Sequence, residues 1–182
     1  MAGKMLHPAR RLGLVAINVA ANAAVLLLLL VPIIVLDWDR VSRSLAGAHA
    51  PDLATIAAAD PMTLVHLFSL LLAAGLGFYL LLGKKGSRAH RALGWTWALL
   101  LTVGAASSLF LRRAEVGWSF FHGFTLLAVI VTPLALVAAR KHRVRWHAAL
   151  MTYLFVNVIL LAGIFAVYPG FAERLLVRAF FH

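Results

Sequence analysis

A chain of 182 residues that is 63% hydrophobic and only 13% charged cannot fold as a soluble domain with a polar shell, and it belongs in a bilayer. With no cysteine, disulfides, thiolate metal ligands and covalently attached c-type haem are excluded, so any cofactor must be held by histidine or by packing. The formal charge of +11 invites a nucleic-acid reading, but the cations cluster in short loops beside apolar runs, where they orient the chain and meet anionic lipid, and no nucleic-acid partner is expected.

A helix needs roughly 20 mostly apolar residues to cross about 30 Å of hydrocarbon. Charge-poor segments of that length fall at about 12 to 36, 62 to 83, 91 to 111, 118 to 139 and 147 to 168. The first follows Lys4, Arg10 and Arg11. Its apolar core is too long for a secretory signal, and the small-residue triplet AHA at 48 to 50 is too distant for cleavage, so an uncleaved helix is expected. Asn18 and Asn22, one turn apart in it, suit hydrogen bonds to a neighbouring helix.

The second span opens with Asp60 as N-cap and Pro61 at the first helical position, and His66 lies about one turn inside. Ala73 and Gly77 continue the stripe of His66, where small residues admit either a flat ring or a close neighbouring helix. His90 opens the third span, with Gly94, Trp97 and Ser108 on its stripe and Ser107 beside them. The fourth begins in SFFHGFTLL at 119 to 127, which sets His122 among phenylalanines, and Pro133 should kink it. His147 opens the fifth, which carries Met151 one turn later and Asn157 in mid-span. For Ser107, Ser108 and Asn157, interhelical hydrogen bonds are favoured over a polar cavity.

These elements predict an all-α polytopic membrane protein, a single integral domain over 1–182, in which helices two to five form an antiparallel four-helix bundle because their connections are short. If the N-terminus is cytoplasmic, Lys4, Arg10, Arg11, Lys84, Lys85, Arg88, Arg91, Arg140, Lys141, Arg143 and Arg145 lie inside. Asp37, Asp39, Asp52, Asp60, Glu115 and Glu173 then lie outside with Arg40, Arg43, Arg112, Arg113, Arg174 and Arg178. The inside face carries the whole net charge, as the positive-inside rule requires, and the C-terminus falls outside.

His66 and His122 thus share one depth and His90 and His147 another, about 26 Å away, since 17 residues separate His66 from Gly83. Imidazoles facing one another across a bundle are what a six-coordinate b-type haem needs. The expectation is transmembrane electron transfer with one or two haem b groups held by His66 with His122 and His90 with His147, served by a quinone or a redox partner protein. Arg88, Arg91, Arg112 and Arg113 are the candidate propionate partners. His142 competes with His147 for a ligand role. Two alternatives stay open: copper or zinc on the same four histidines, with Met151 or the outer acids completing the shell, and a cofactor-free scaffold or subunit of a larger membrane complex. Enzyme chemistry finds little support, because no carboxylate lies inside a span and no nucleophile has a base beside it.

HLFSLLLAAGLGF, SRAHRALGWTW, SFFHGF and RVRWHAALM, together spanning about 62 to 168, resemble the bacterial membrane family termed domain of unknown function 2306. More remotely, their helix and histidine plan is similar to the diheme b-type cytochromes of the cytochrome b 561 kind. The resemblance implies a bacterial inner membrane location, and the cytochrome plan implies ligands from four successive helices, second with fourth and third with fifth. His90 follows His66 by 24 residues, a spacing shorter than that plan, which places His90 near the membrane surface.

Overall fold

Every described residue that is neither turn nor loop is helical, as an apolar chain must be when lipid offers its backbone no hydrogen bonds. The computed structural model describes residues 20–24, 27–28, 30–32, 35–111, 122–168 and 175–181. We label the helices α1 (Trp38–Ala46), α2 (Leu53–Ala57), α3 (Pro61–Leu82), α4 (Arg88–Ser108), α5 (His122–Arg140), α6 (Val144–Val167) and α7 (Leu175–Phe181). The described residues between 20 and 36 are helical as well.

Among the described residues, α3, α5 and α6 are long and apolar enough to cross a membrane. Helix α4 has comparable length, 21 residues, but trades aliphatic side chains for Arg88, His90, Arg91, five small residues at its end and two tryptophans. The expected first span, 12 to 36, is described only in part.

Cap chemistry sets the helix starts. Asp60 accepts from the Thr63 amide at 3.0 Å and Pro61 follows, so α3 begins one residue before the apolar pattern does. Its carboxyl also takes the Thr63 hydroxyl, and this bond, ahead of the amide bonds, holds it below the ordinary 3.8. Ser87 accepts from the His90 amide at 3.0 Å, which starts α4 at Arg88, three residues before the expected span. At the C-terminus of α3, Lys85 Nζ donates to the carbonyls of Leu80, at 2.6 Å, and Leu81. The α5–α6 turn is made by His142 at φ 55°, the left-handed region that histidine tolerates better than most residues.

Packing follows the chain: α3 on α4, α4 on α5, α5 on α6, and the middle of α6 back on α3. The contact that closes this path is steric. Phe155 lies so close to Gly77 that a Cβ there would sit 2.4 Å from its ring and 2.9 Å from Trp97 Nε1. Trp97 donates to the Ala73 carbonyl at 2.9 Å, and Phe155 meets Phe78 edge to face at 4.9 Å. Ala73, Leu101 and Leu154 are wholly buried in the same cluster. The flat groups that Ala73 and Gly77 admit are therefore the indole of α4 and the phenyl of α6.

One feature had no sequence signal. Residues Leu154–Leu160 of α6 form a π-helical segment, centred on the side chains that fill this cluster. Asn157 inside it donates to the Tyr153 carbonyl at 3.2 Å and to Asn22 Oδ1 at 2.7 Å, so Asn22 and Asn157 join two helices as expected. Asn18 lies outside the described residues. Pro133 sits within a helix that continues on both sides of it.

At one end, Tyr168 donates to Asp37 Oδ2 at 2.6 Å, and Asp37 also pairs with Arg40 at 3.4 Å. The amides of His49 and Asp52 donate to Phe180 and Ala179 of α7. Bulky apolar side chains such as Leu71, Leu72, Leu99, Leu126 and Leu134 stay more than half exposed, an extent of greasy surface that lipid would cover.

Candidate functional site

Each of the four histidines continues the inward stripe of its helix. On α3, His66 is followed at three, seven and eleven positions by Ser69, Ala73 and Gly77, the buried residues of that helix. On α5, His122 precedes buried Thr125, Ala128, Thr132 and Ala135 at spacings of three and four. His90 lies seven positions before Trp97 and eleven before Leu101, and His147 lies seven before Leu154, all buried. The four rings are half-buried themselves.

The structure brings His66 into a polar group made by three helices. Its Nδ1 donates to the Gly104 carbonyl of α4 at 2.8 Å, with Ser107 Oγ 3.4 Å away. Ser107 donates to the same carbonyl at 2.9 Å, and Ser108 Oγ meets Thr125 Oγ1 of α5 at 2.5 Å. Ser107 and Ser108 thus hydrogen-bond between helices, as expected. At the opposite end, His147 Nδ1 donates to the Ala135 carbonyl of α5 at 3.0 Å.

A carbonyl oxygen can only accept, so Nδ1 carries the proton in His66 and His147, and in the neutral ring Nε2 carries the lone pair. Haem ligation by histidine asks for this: a neutral imidazole whose second nitrogen is held by an acceptor that fixes tautomer and ring orientation. The donor chemistry of these residues fits haem b at the ends of the helices. The middle, filled by Trp97 and Phe155, does not admit a macrocycle.

Two of the four candidate propionate partners, Arg88 and Arg91, lie among the described residues. Counting 100° per residue, Arg88 shares a stripe with Trp95 and Leu99 on the side of α4 opposite His90, and Arg91 flanks it. Both are exposed, and Arg91 Nη1 donates to the Gly86 carbonyl at 2.7 Å. Arg112 and Arg113 lie outside the described residues. His142 is exposed in its turn, apart from the inward stripes. Met151 packs against the apolar cluster. Among the described residues, no three of histidine, aspartate and glutamate gather as a copper or zinc site would require.

Sequence reasoning missed the acceptors that orient His66 and His147, because they are backbone carbonyls, whose placement no residue type signals. It also missed Thr125, which the spacing from His122 could have singled out. No family model, curated protein or solved structure matches the chain.

Proposed function

We propose that this chain is a membrane electron carrier holding one or two b-type haems, with His66 and His122 as the ligand pair at one end of the helices and His90 and His147 at the other. In this reading helices α3 to α6 form an antiparallel four-helix bundle, joined by the run near residues 12 to 36 as a fifth span, in a bacterial inner membrane with the N-terminus cytoplasmic. The histidine plan of the sequence resembles that of diheme b-type cytochromes remotely, a likeness of sequence pattern alone that no family model or curated protein supports.

The observation that carries the reading is the placement of all four histidines on inward stripes at two ends, where ionisable groups in a bilayer are costly unless they serve a ligand or a partner. When bound, haem b supplies a one-electron couple at each pair. The Gly104 and Ala135 carbonyls keep the proton on Nδ1 and hold the ring planes of His66 and His147. Ser107, donating to the same carbonyl as His66, holds that acceptor in place. The apolar layer of Trp97, Leu101, Leu154 and Phe155 excludes water between the ends.

The full-length protein, produced with haem supplied and reduced with dithionite, should show a sharp b-type α band. His66→Ala combined with His122→Ala should remove one component, and His90→Ala with His147→Ala the other. Folded wild-type protein with no Soret absorption sinks the reading.

A further inference from the structure

The end of the molecule formed by the turns at 83–87 and 141–143 is a concentration of cations without counter-charge. Lys84, Lys85, Arg88, Arg91, Arg140, Lys141, Arg143 and Arg145 cluster there, while every described carboxylate, Asp37, Asp39, Asp52 and Asp60, belongs to the other end. The described ion pair, Arg40 with Asp37, is at that other end too. Within this basic rim, one crossing is ordered by a specific contact. The Arg140 guanidinium, on the last residue of α5, lies over the Trp95 ring of α4 at 5.4 Å from its centroid.

That crossing joins two exposed stripes. On α4, Arg88, Trp95 and Leu99 recur at seven and four residues, with Arg91 beside them, and Trp95 and Leu99 are 52% and 63% exposed. On α5, Val137, 44% exposed, lies three residues before Arg140. Guanidinium groups thus stand at the head of an apolar strip, with an indole at the junction, on helices whose outward faces suit lipid. A soluble anion would match the arginines but leave the strip bare, and an acyl chain alone would match the strip but leave the arginines unpaired.

We propose that the α4–α5 crossing at Trp95 and Arg140 is a binding site for an anionic phospholipid, its phosphodiester held by Arg140, Arg88 and Arg91 and an acyl chain lying along Trp95, Leu99 and Val137. Arginine presents a planar fork to phosphate oxygens, and the cation–π contact with Trp95 keeps the Arg140 guanidinium at the crossing. The site owes nothing to haem, since these side chains face away from His90.

The test is native mass spectrometry of the full chain in detergent, titrated with phosphatidylglycerol or with phosphatidylcholine of the same acyl chains. Wild-type protein should retain phosphatidylglycerol preferentially, and Arg140→Gln should weaken that retention about fivefold, the scale for one cation near an anionic headgroup. Trp95→Leu should weaken it less. Arg40→Gln with Arg43→Gln, which removes two cations from the other end, should leave it unchanged. Arg140→Lys, which keeps the charge and loses the fork, should fall between wild type and Arg140→Gln. Equal retention of the two lipids overturns the proposal. So does a preference that survives Arg140→Gln, or one that the Arg40 and Arg43 substitutions reduce as strongly. Inorganic phosphate that displaces phosphatidylglycerol at low millimolar concentration would also overturn it, by showing that the acyl strip contributes nothing.

Discussion

Halfway along the helices, Trp97, Leu101, Leu154 and Phe155 meet in a layer that is at most 2% exposed, whereas toward either end the same inward stripes carry histidines flanked by hydroxyls and carbonyls. In the middle, position is decided by shape: Gly77 is glycine because Phe155 and Trp97 occupy the space of its Cβ. At the ends, position is decided by direction: His66 and His147 are aimed by acceptors on adjacent helices. Lipid gives helices no hydrophobic reason to associate, so close packing has to hold the middle, and the polar ends are left for chemistry.

The sharpest way to break this contrast is Gly77→Val. The added methyls meet the Phe155 ring and the Trp97 indole, both deeply buried, so the layer must open, at a cost of about 1–3 kcal/mol. A drop in the thermal midpoint of the detergent-solubilised protein should report it, whereas the histidine substitutions described above should be read out in the spectrum. A midpoint unmoved by Gly77→Val would mean the middle is not the seat of stability.

A smaller effect of opposite sign is expected at Thr132, on the inward stripe of α5, whose hydroxyl is buried without a hydrogen-bond partner. Valine has nearly its shape and removes the unsatisfied group, so Thr132→Val should raise stability by about 1 kcal/mol. Destabilisation on replacement would show that the hydroxyl is satisfied in solution.

His142 offers a finer probe, since it is exposed and in the left-handed region. Its penalty there is roughly 1–2 kcal/mol and glycine's entropy cost roughly 0.5–1 kcal/mol, so His142→Gly should gain about 0.5 kcal/mol. The spectrum should not change, whereas His147→Ala should change it. The opposite pattern would transfer the ligand role to His142.

The smallest effect concerns the start of α3. Because the Thr63 hydroxyl and amide hold the Asp60 carboxyl below 3.8, the cap stabilises the helix above that value, and its contribution is lost as pH falls through the lowered one. Protection of the amides at residues 62–64, corrected for intrinsic exchange, should fall as pH drops below 3.8, and Asp60→Asn should abolish that dependence.

Helix placement was largely legible, because length and hydropathy are properties of the residues themselves. The expected 62 to 83 and 147 to 168 correspond to Pro61–Leu82 and Val144–Val167. The third segment starts early, at Arg88, because a serine cap outranks the charge of the first turn. The stripes that turn the four histidines inward were readable from the helical period. What fills the space beneath His66 was not, since small residues admit a ring from a cofactor or from another helix alike, and Phe155 comes from a position 89 residues away. Helices α1, α2 and α7, at nine, five and seven residues, are too short to stand out at membrane length. The π-helical turn lies in LFVNVIL, where every residue reads as ordinary apolar helix apart from Asn157.

The two bonds that fasten the helix near Asn22 to α6 reach across almost the whole chain. Asn22 pairs with a residue 135 positions later and Asp37 with one 131 positions later. On the ribosome, Asn22 and Asp37 therefore emerge 135 and 131 residues before the partners that fasten them.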